Sequence, residues 1–156
     1  MASESAVRVQ VRVAAPRETA FRVFTEGFAS WWPVETHHLG KVRAITSVIE
    51  PRVGGRLFER GEDGSECDWG VVRAWDPPAR LVLGWQLDAD WKHDPACETT
   101  VEILFVAEGP DRTRVELEHR GLERFGARRD ELRGQLGGAG GWPALVEAFR
   151  KRAERQ

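Results

Sequence analysis

The chain holds seven tryptophans and seven phenylalanines but no tyrosine. An indole presents a broad apolar face and one N–H donor. It can therefore line a pocket for a hydrophobic or aromatic ligand, or simply fill a core. Trp31, Trp32 and Trp85 are candidates for lining a cavity. Trp69 and Trp75 alternate with Val71 along one strand face, which is a core pattern that a cavity wall could share. His119 alternates with Val115 and Leu117, so it faces the same apolar side as they do. There it is either a satisfied core residue or a weak catalytic candidate, a polar group inside a cavity that orients a ligand or moves a proton. By the same alternation Arg73 shares a face with Trp69 and Trp75. It could hold a ligand carboxylate or close a salt bridge at the rim. Val146 and Phe149, on the last helix, complete the candidate lining.

Other chemistries find little support. His37, His38 and His93, with Cys67 or Cys97, suggest a metal, but adjacent histidines point apart and no ligand spacing of two to four residues recurs. We therefore expect neither metal nor cofactor. The glycines at 137, 138, 140 and 141 follow no strand and lack the phosphate-loop pattern. They read as a flexible lead into the last helix or a gate over a cavity. No serine or cysteine sits in a nucleophile elbow.

At 156 residues and a net charge of −2, the chain fits one domain over residues 1–156 and shows no basic excess for nucleic acid. Two cysteines are too few for a disulfide framework. We expect no signal peptide, because no basic start is followed by an apolar run. Nor does any stretch approach the roughly 18 apolar residues of a membrane span. The expectation is a cytoplasmic monomer or homodimer whose partner is a small hydrophobic or aromatic molecule.

Positioning these residues falls to a simple series of elements. Val7, Val9, Val11 and Val13 alternate with polar residues and predict a strand with one wet face. Pro16 suits a helix start. Phe21, Phe24 and Phe28 recur at helical spacing, with Gly27 dividing two short helices and Pro33 ending the second. Residues 34–44 read as loop. Strands are expected at 45–50, 56–61, 66–75, 80–87, 97–107 and 113–120, separated by turns such as Asp76-Pro-Pro. Residues 127–136 could form a short polar helix. In the final helix Trp142, Leu145, Val146, Phe149 and Ala153 fall on a stripe about 100° wide, with basic residues in the last turns, where the helix dipole favours them. Strands at hairpin spacing predict an antiparallel sheet, and a helix that must bury a stripe predicts an α+β domain. A strongly curved sheet around that helix leaves room for a ligand.

The run Pro51-Arg-Val-Gly-Gly-Arg-Leu-Phe, the Asp63-Gly64 turn and the run from Gly70 through Trp75-Asp-Pro-Pro to Trp85 resemble the activator-of-heat-shock-protein-90-ATPase homologue family of the SRPBCC (START/birch-allergen-like) superfamily. Ala15-Pro-Arg-Glu-Thr-Ala-Phe, Ala29-Ser-Trp-Trp, the strand holding His119, and Gly141-Trp142 extend the resemblance to nearly the whole chain. It implies a helix-grip fold: a curved seven-stranded antiparallel sheet wrapped around a long C-terminal helix, with two short helices after the first strand and a cavity between. The family's eukaryotic co-chaperone has an additional N-terminal domain, for which this chain has no room. Residues 88–98 and 122–140 match nothing in the family pattern. Three roles stay open: a binding protein for a hydrophobic or aromatic ligand, a polyketide-cyclase or dehydratase-type enzyme using polar cavity residues, and a co-chaperone-like interaction module.

Overall fold

The computed structural model describes residues 6–155. Strand β1 (Val7–Val13) leads through Pro16 into α1 (Arg17–Thr25) and α2 (Phe28–Trp31). Six strands follow: β2 (Ala44–Ile49), β3 (Arg56–Gly61), β4 (Glu66–Asp76), β5 (Arg80–Trp85), β6 (Thr99–Gly109) and β7 (Arg112–Arg120). A 3-10 segment (Leu122–Arg128) runs into α3 (Arg129–Gly137), and α4 (Trp142–Ala153) closes the described chain. Every strand pairing is antiparallel, in the order β1-β7-β6-β5-β4-β3-β2. The one long-range pairing sets Val7 opposite His119 and Val13 opposite Thr113. This is the expected helix-grip arrangement, with α4 lying against β1, α1 and α2.

Alternation sorts the sheet into two faces. Val101, Ile103 and Phe105 of β6 and Val115, Leu117 and His119 of β7 turn inward and are buried. The outer face is a lattice of opposite charges, among them Arg8–Glu118, Arg80–Glu102, Arg120–Glu102 and Arg114–Glu108. Exposed pairs of this kind contribute at most about 1 kcal/mol each. The expected stripe of α4 is the buried one: Trp142, Leu145, Val146, Phe149 and Ala153.

The alternation expected of β4 breaks at two places. Its register slips against β3 between the Gly70 and Asp68 pairings, leaving Trp69 unopposed. It slips against β5 between Val72 and Ala74, leaving Arg73 unopposed. A bulge inserts one residue and reverses the in–out phase beyond it. Trp69 is thereby 2% exposed, whereas Val71, opposite Gly84, is only partly buried and Val72 is fully so. Arg73 points out of the sheet to solvent, which corrects the expectation that it shares the inner face of Trp69 and Trp75.

The 127–136 helix is real but later and better anchored than expected. It spans Arg129–Gly137 after the 3-10 turn and buries Leu132 and Leu136. Between it and α4, Gly141 is required by space. A Cβ there would lie 2.1 Å from the Leu136 carbonyl oxygen.

Candidate functional site

A cavity of about 530 Å³ opens where the N-terminal end of α4 meets the inner face of β4 and β5. Five tryptophans line it: Trp32 at the end of α2, Trp69 on β4, Trp85 on β5, Trp142 on α4 and Trp91 in the β5–β6 connection. Leu39, Leu87, Leu136 and Leu145 fill in the apolar wall. Residues from the 88–98 loop and from the 122–140 segment line it as well. Trp91 comes from the first, and Gly134, Gln135, Leu136, Gly138, Ala139 and Gly140 from the second, next to Gly141 and Trp142.

The aromatic rings are held tilted or edge-on to one another. Trp32 sits 5.1 Å from Trp69, and Trp85 5.5 Å from Trp142, between ring centroids. Most of their N–H groups are committed to protein acceptors. Trp32 donates to the His37 carbonyl at 3.0 Å, Trp69 to Glu59 Oε1 at 2.8 Å, Trp142 to His119 Nδ1 at 3.0 Å and Trp91 to Gln135 Oε1 at 3.3 Å. Trp91 holds a left-handed backbone, φ 61°, unusual for a bulky residue. Asp88 braces that turn by accepting the backbone N–H groups of Asp90 and Lys92.

His119 is 0% exposed and does not line the cavity; it lies behind Trp85 and Trp142. Since Trp142 donates to Nδ1, the ring proton sits on Nε2, which donates to Thr99 Oγ1 at 2.7 Å. Thr99 in turn donates to the Trp85 carbonyl at 3.4 Å. Burial pushes the His119 pKa down to about 3. Protonating Nδ1 would set two donors against each other. The imidazole is a neutral strut between β7 and α4, with both nitrogens in use. The core alternative, not the catalytic one, fits this geometry.

Trp31, Val146 and Phe149 also stand outside the cavity lining. Trp31 donates to the Val23 carbonyl and packs on Phe24 and Phe28. Phe149 is 0% exposed, with its ring against Phe24 and Trp31. The cavity therefore meets α4 only at its first turn, through Trp142 and Leu145, because the aromatic side chains of α1 and α2 fill the space farther along. Arg73 is on the other side of the sheet, paired with Glu98 at 2.5 Å. That contact holds the Glu98 carboxyl below its ordinary pKa.

Sequence reading missed Glu59. It is 2% exposed and faces inward with Leu57, a placement the alternation of β3 already implied. Its carboxylate accepts three N–H groups, from Trp69, from Leu39 at 2.5 Å and from Gly40 at 3.0 Å. No cation pairs with it in the structure among the described residues. Glu59 thus fixes both an indole and a loop of the cavity wall. The neighbouring Cys67 thiol is pushed up by burial and then by the Glu59 charge; Cys97 is raised by burial. Neither is an activated nucleophile.

The histidines are spoken for separately. His37 Nε2 donates to the Gly140 carbonyl at 2.8 Å, tying the 33–40 loop to the glycine link across the mouth. His38 Nδ1 donates to the Val34 carbonyl at 2.6 Å, and His93 Nε2 bonds Gln86 Oε1 at 3.0 Å. Among the described residues no cluster of three His, Cys, Asp or Glu side chains could hold a metal. No described helix is long and apolar enough to cross a membrane.

Solved structures with the same arrangement include close relatives. The anthrahydroquino-gamma-pyrone synthase Txn09 is 38% identical, with a TM-score of 0.65, and the match covers 94% of this chain and 95% of that one. The self-sacrificing resistance protein CalC from Micromonospora echinospora is 34% identical, with a TM-score of 0.69, over 96% and 94% of the two chains. An HSP90 activator from Plasmodium falciparum shares the fold at 17% identity and a TM-score of 0.51, over 74% and 71%. A search of curated proteins found no match. The family model for "Activator of Hsp90 ATPase homolog 1-like protein" matches residues 14–154. On sequence and fold alike, the chain belongs to the activator of Hsp90 ATPase homolog 1-like family.

Proposed function

We propose that the chain binds a flat, polycyclic aromatic molecule in the cavity between the sheet and the start of α4. The carrying observation is the lining: five indoles around about 530 Å³. Fixed rings lose little entropy when a planar ligand stacks between them, and they exclude water from both its faces. The name of the 38%-identical synthase supports a fused-ring ligand class, and the 34%-identical resistance protein is a relative whose role is not synthesis.

That synthase also favours a second reading, a cyclase-type enzyme. In this chain such a role would work by holding a reactive ligand in shape. Both His119 nitrogens are occupied and the ring stays neutral, so it offers no proton transfer. A co-chaperone-like role has less support, since the outer sheet face has its charges mutually paired.

The test is binding of 1-anilinonaphthalene-8-sulfonate, read by quenching of tryptophan emission, with native mass spectrometry for a co-purifying small molecule. Wild type is expected to quench and Leu145→Trp, which fills the cavity, to bind at least tenfold more weakly. Equal binding by both folded proteins would remove the cavity from the function.

A further inference from the structure

Of the five indoles around the cavity, Trp85 is the one whose N–H meets no acceptor among the described residues. Its residue is only 5% exposed. The N–H is not sealed inside the core either, as Arg17 Nε and Ser47 Oγ are. Trp85 lines the cavity, and that is the open space beside its ring.

Trp85 is also held so that this donor cannot easily turn elsewhere. It ends β5 between Gly70 and Thr99, its cross-strand partners. Its carbonyl takes the Thr99 hydroxyl, and its ring lies edge-on to Trp142 and His119. In the free protein water can satisfy such a donor. A ligand that displaces the water must supply an acceptor or leave the donor unpaired in a dry site, which is costly.

We propose that the Trp85 indole N–H is a polar recognition point of the cavity, selecting flat aromatic ligands that bear a carbonyl oxygen, of the quinone, pyrone or aryl-ketone class, over the bare hydrocarbon. This rests on the aromatic-ligand reading above and adds the functional group to it. The surrounding wall is apolar, so one well-placed acceptor decides orientation.

The experiment uses 9-fluorenone and fluorene, flat three-ring probes that differ by one carbonyl oxygen. Their affinities for the wild-type protein are compared with those for Trp85→Phe, whose fold is checked by near-ultraviolet circular dichroism. Wild type is expected to favour fluorenone about fivefold, the span of one neutral hydrogen bond, and Trp85→Phe to bind the two alike. In ¹⁵N-labelled wild type, the Trp85 indole resonance moves downfield with fluorenone and not with fluorene, a readout that survives if the variant fails to fold. Equal wild-type affinity for both probes, or an unmoved indole resonance, overturns the role of Trp85 and leaves aromatic binding standing. Binding of neither probe overturns both.

Discussion

Trp142, the first residue of α4, donates its indole N–H to Nδ1 of His119, the penultimate residue of β7, at 3.0 Å. This one bond sets the tautomer of the histidine, the position of a cavity wall and the entry of the helix onto the sheet. It also makes His119 a structural group, which can be tested by pH.

The unfolded chain protonates a histidine near its ordinary value of 6.5, whereas folded His119 resists until about 3. A depressed folded pKa means stability that is complete above pH 6.5 and is lost as pH falls toward 3, by about 1.4 kcal/mol per unit. Urea melts of wild type and His119→Gln at pH 7 and pH 5 should differ accordingly. The wild type should lose about 2 kcal/mol more than the variant over that range. At pH 7 the variant itself should be destabilised by about 1–3 kcal/mol, because a buried donor loses its partner. A variant with wild-type stability and the same pH dependence would contradict the strut.

Glu59→Gln exchanges a three-acceptor carboxylate for an amide that must place its own donors against N–H groups. The expected loss is about 1–3 kcal/mol, with a changed environment for Trp69 visible in its emission. Binding of 1-anilinonaphthalene-8-sulfonate should weaken with it, because Leu39 and Trp69 belong to the cavity wall. Unaltered probe affinity would separate Glu59 from the cavity.

Phe149→Asp puts a carboxylate where the ring is 0% exposed against Phe24 and Trp31. A charge buried there without a partner should cost more than about 4 kcal/mol, a large share of a domain's stability, and lower the melting temperature sharply. Phe149→Leu should cost only about 1–2 kcal/mol. A melting temperature unchanged in Phe149→Asp would be incompatible with α4 packed in the grip of the sheet.

Arg73→Ala should leave probe affinity unchanged and stability within about 1 kcal/mol, since its pair with Glu98 is half exposed on the far side of the sheet. An aromatic carboxylate probe that loses affinity in this variant would place Arg73 back at the site.

Period and turn chemistry alone predicted the succession of strands along the chain, the two short helices and the stripe of α4; the curved helix-grip sheet came from the family resemblance, and the pairing of β1 with β7 from the structure. Those signals are local: a period of two, a period of 3.6, and prolines and glycines at the breaks. The inward turn of His119 was legible for the same reason, and so was that of Glu59, although its charge hid it among expected surface residues. The two bulges of β4 were not legible. They depend on how β3 and β5 pair with it, and they put Arg73 outside while Trp69 stays inside, as alternation implied.

Nor could the sequence say which tryptophans meet the cavity. All seven are compatible with a core, and the choice depends on which neighbours arrive from afar. Trp31 is claimed by Phe24 and Phe149, while Trp91, from a loop with no pattern of its own, is drawn to Gln135 at the mouth. Residue types determined that this chain has an aromatic interior. Tertiary packing decided where that interior stays open, because an unfilled volume belongs to no single segment and exists only between them.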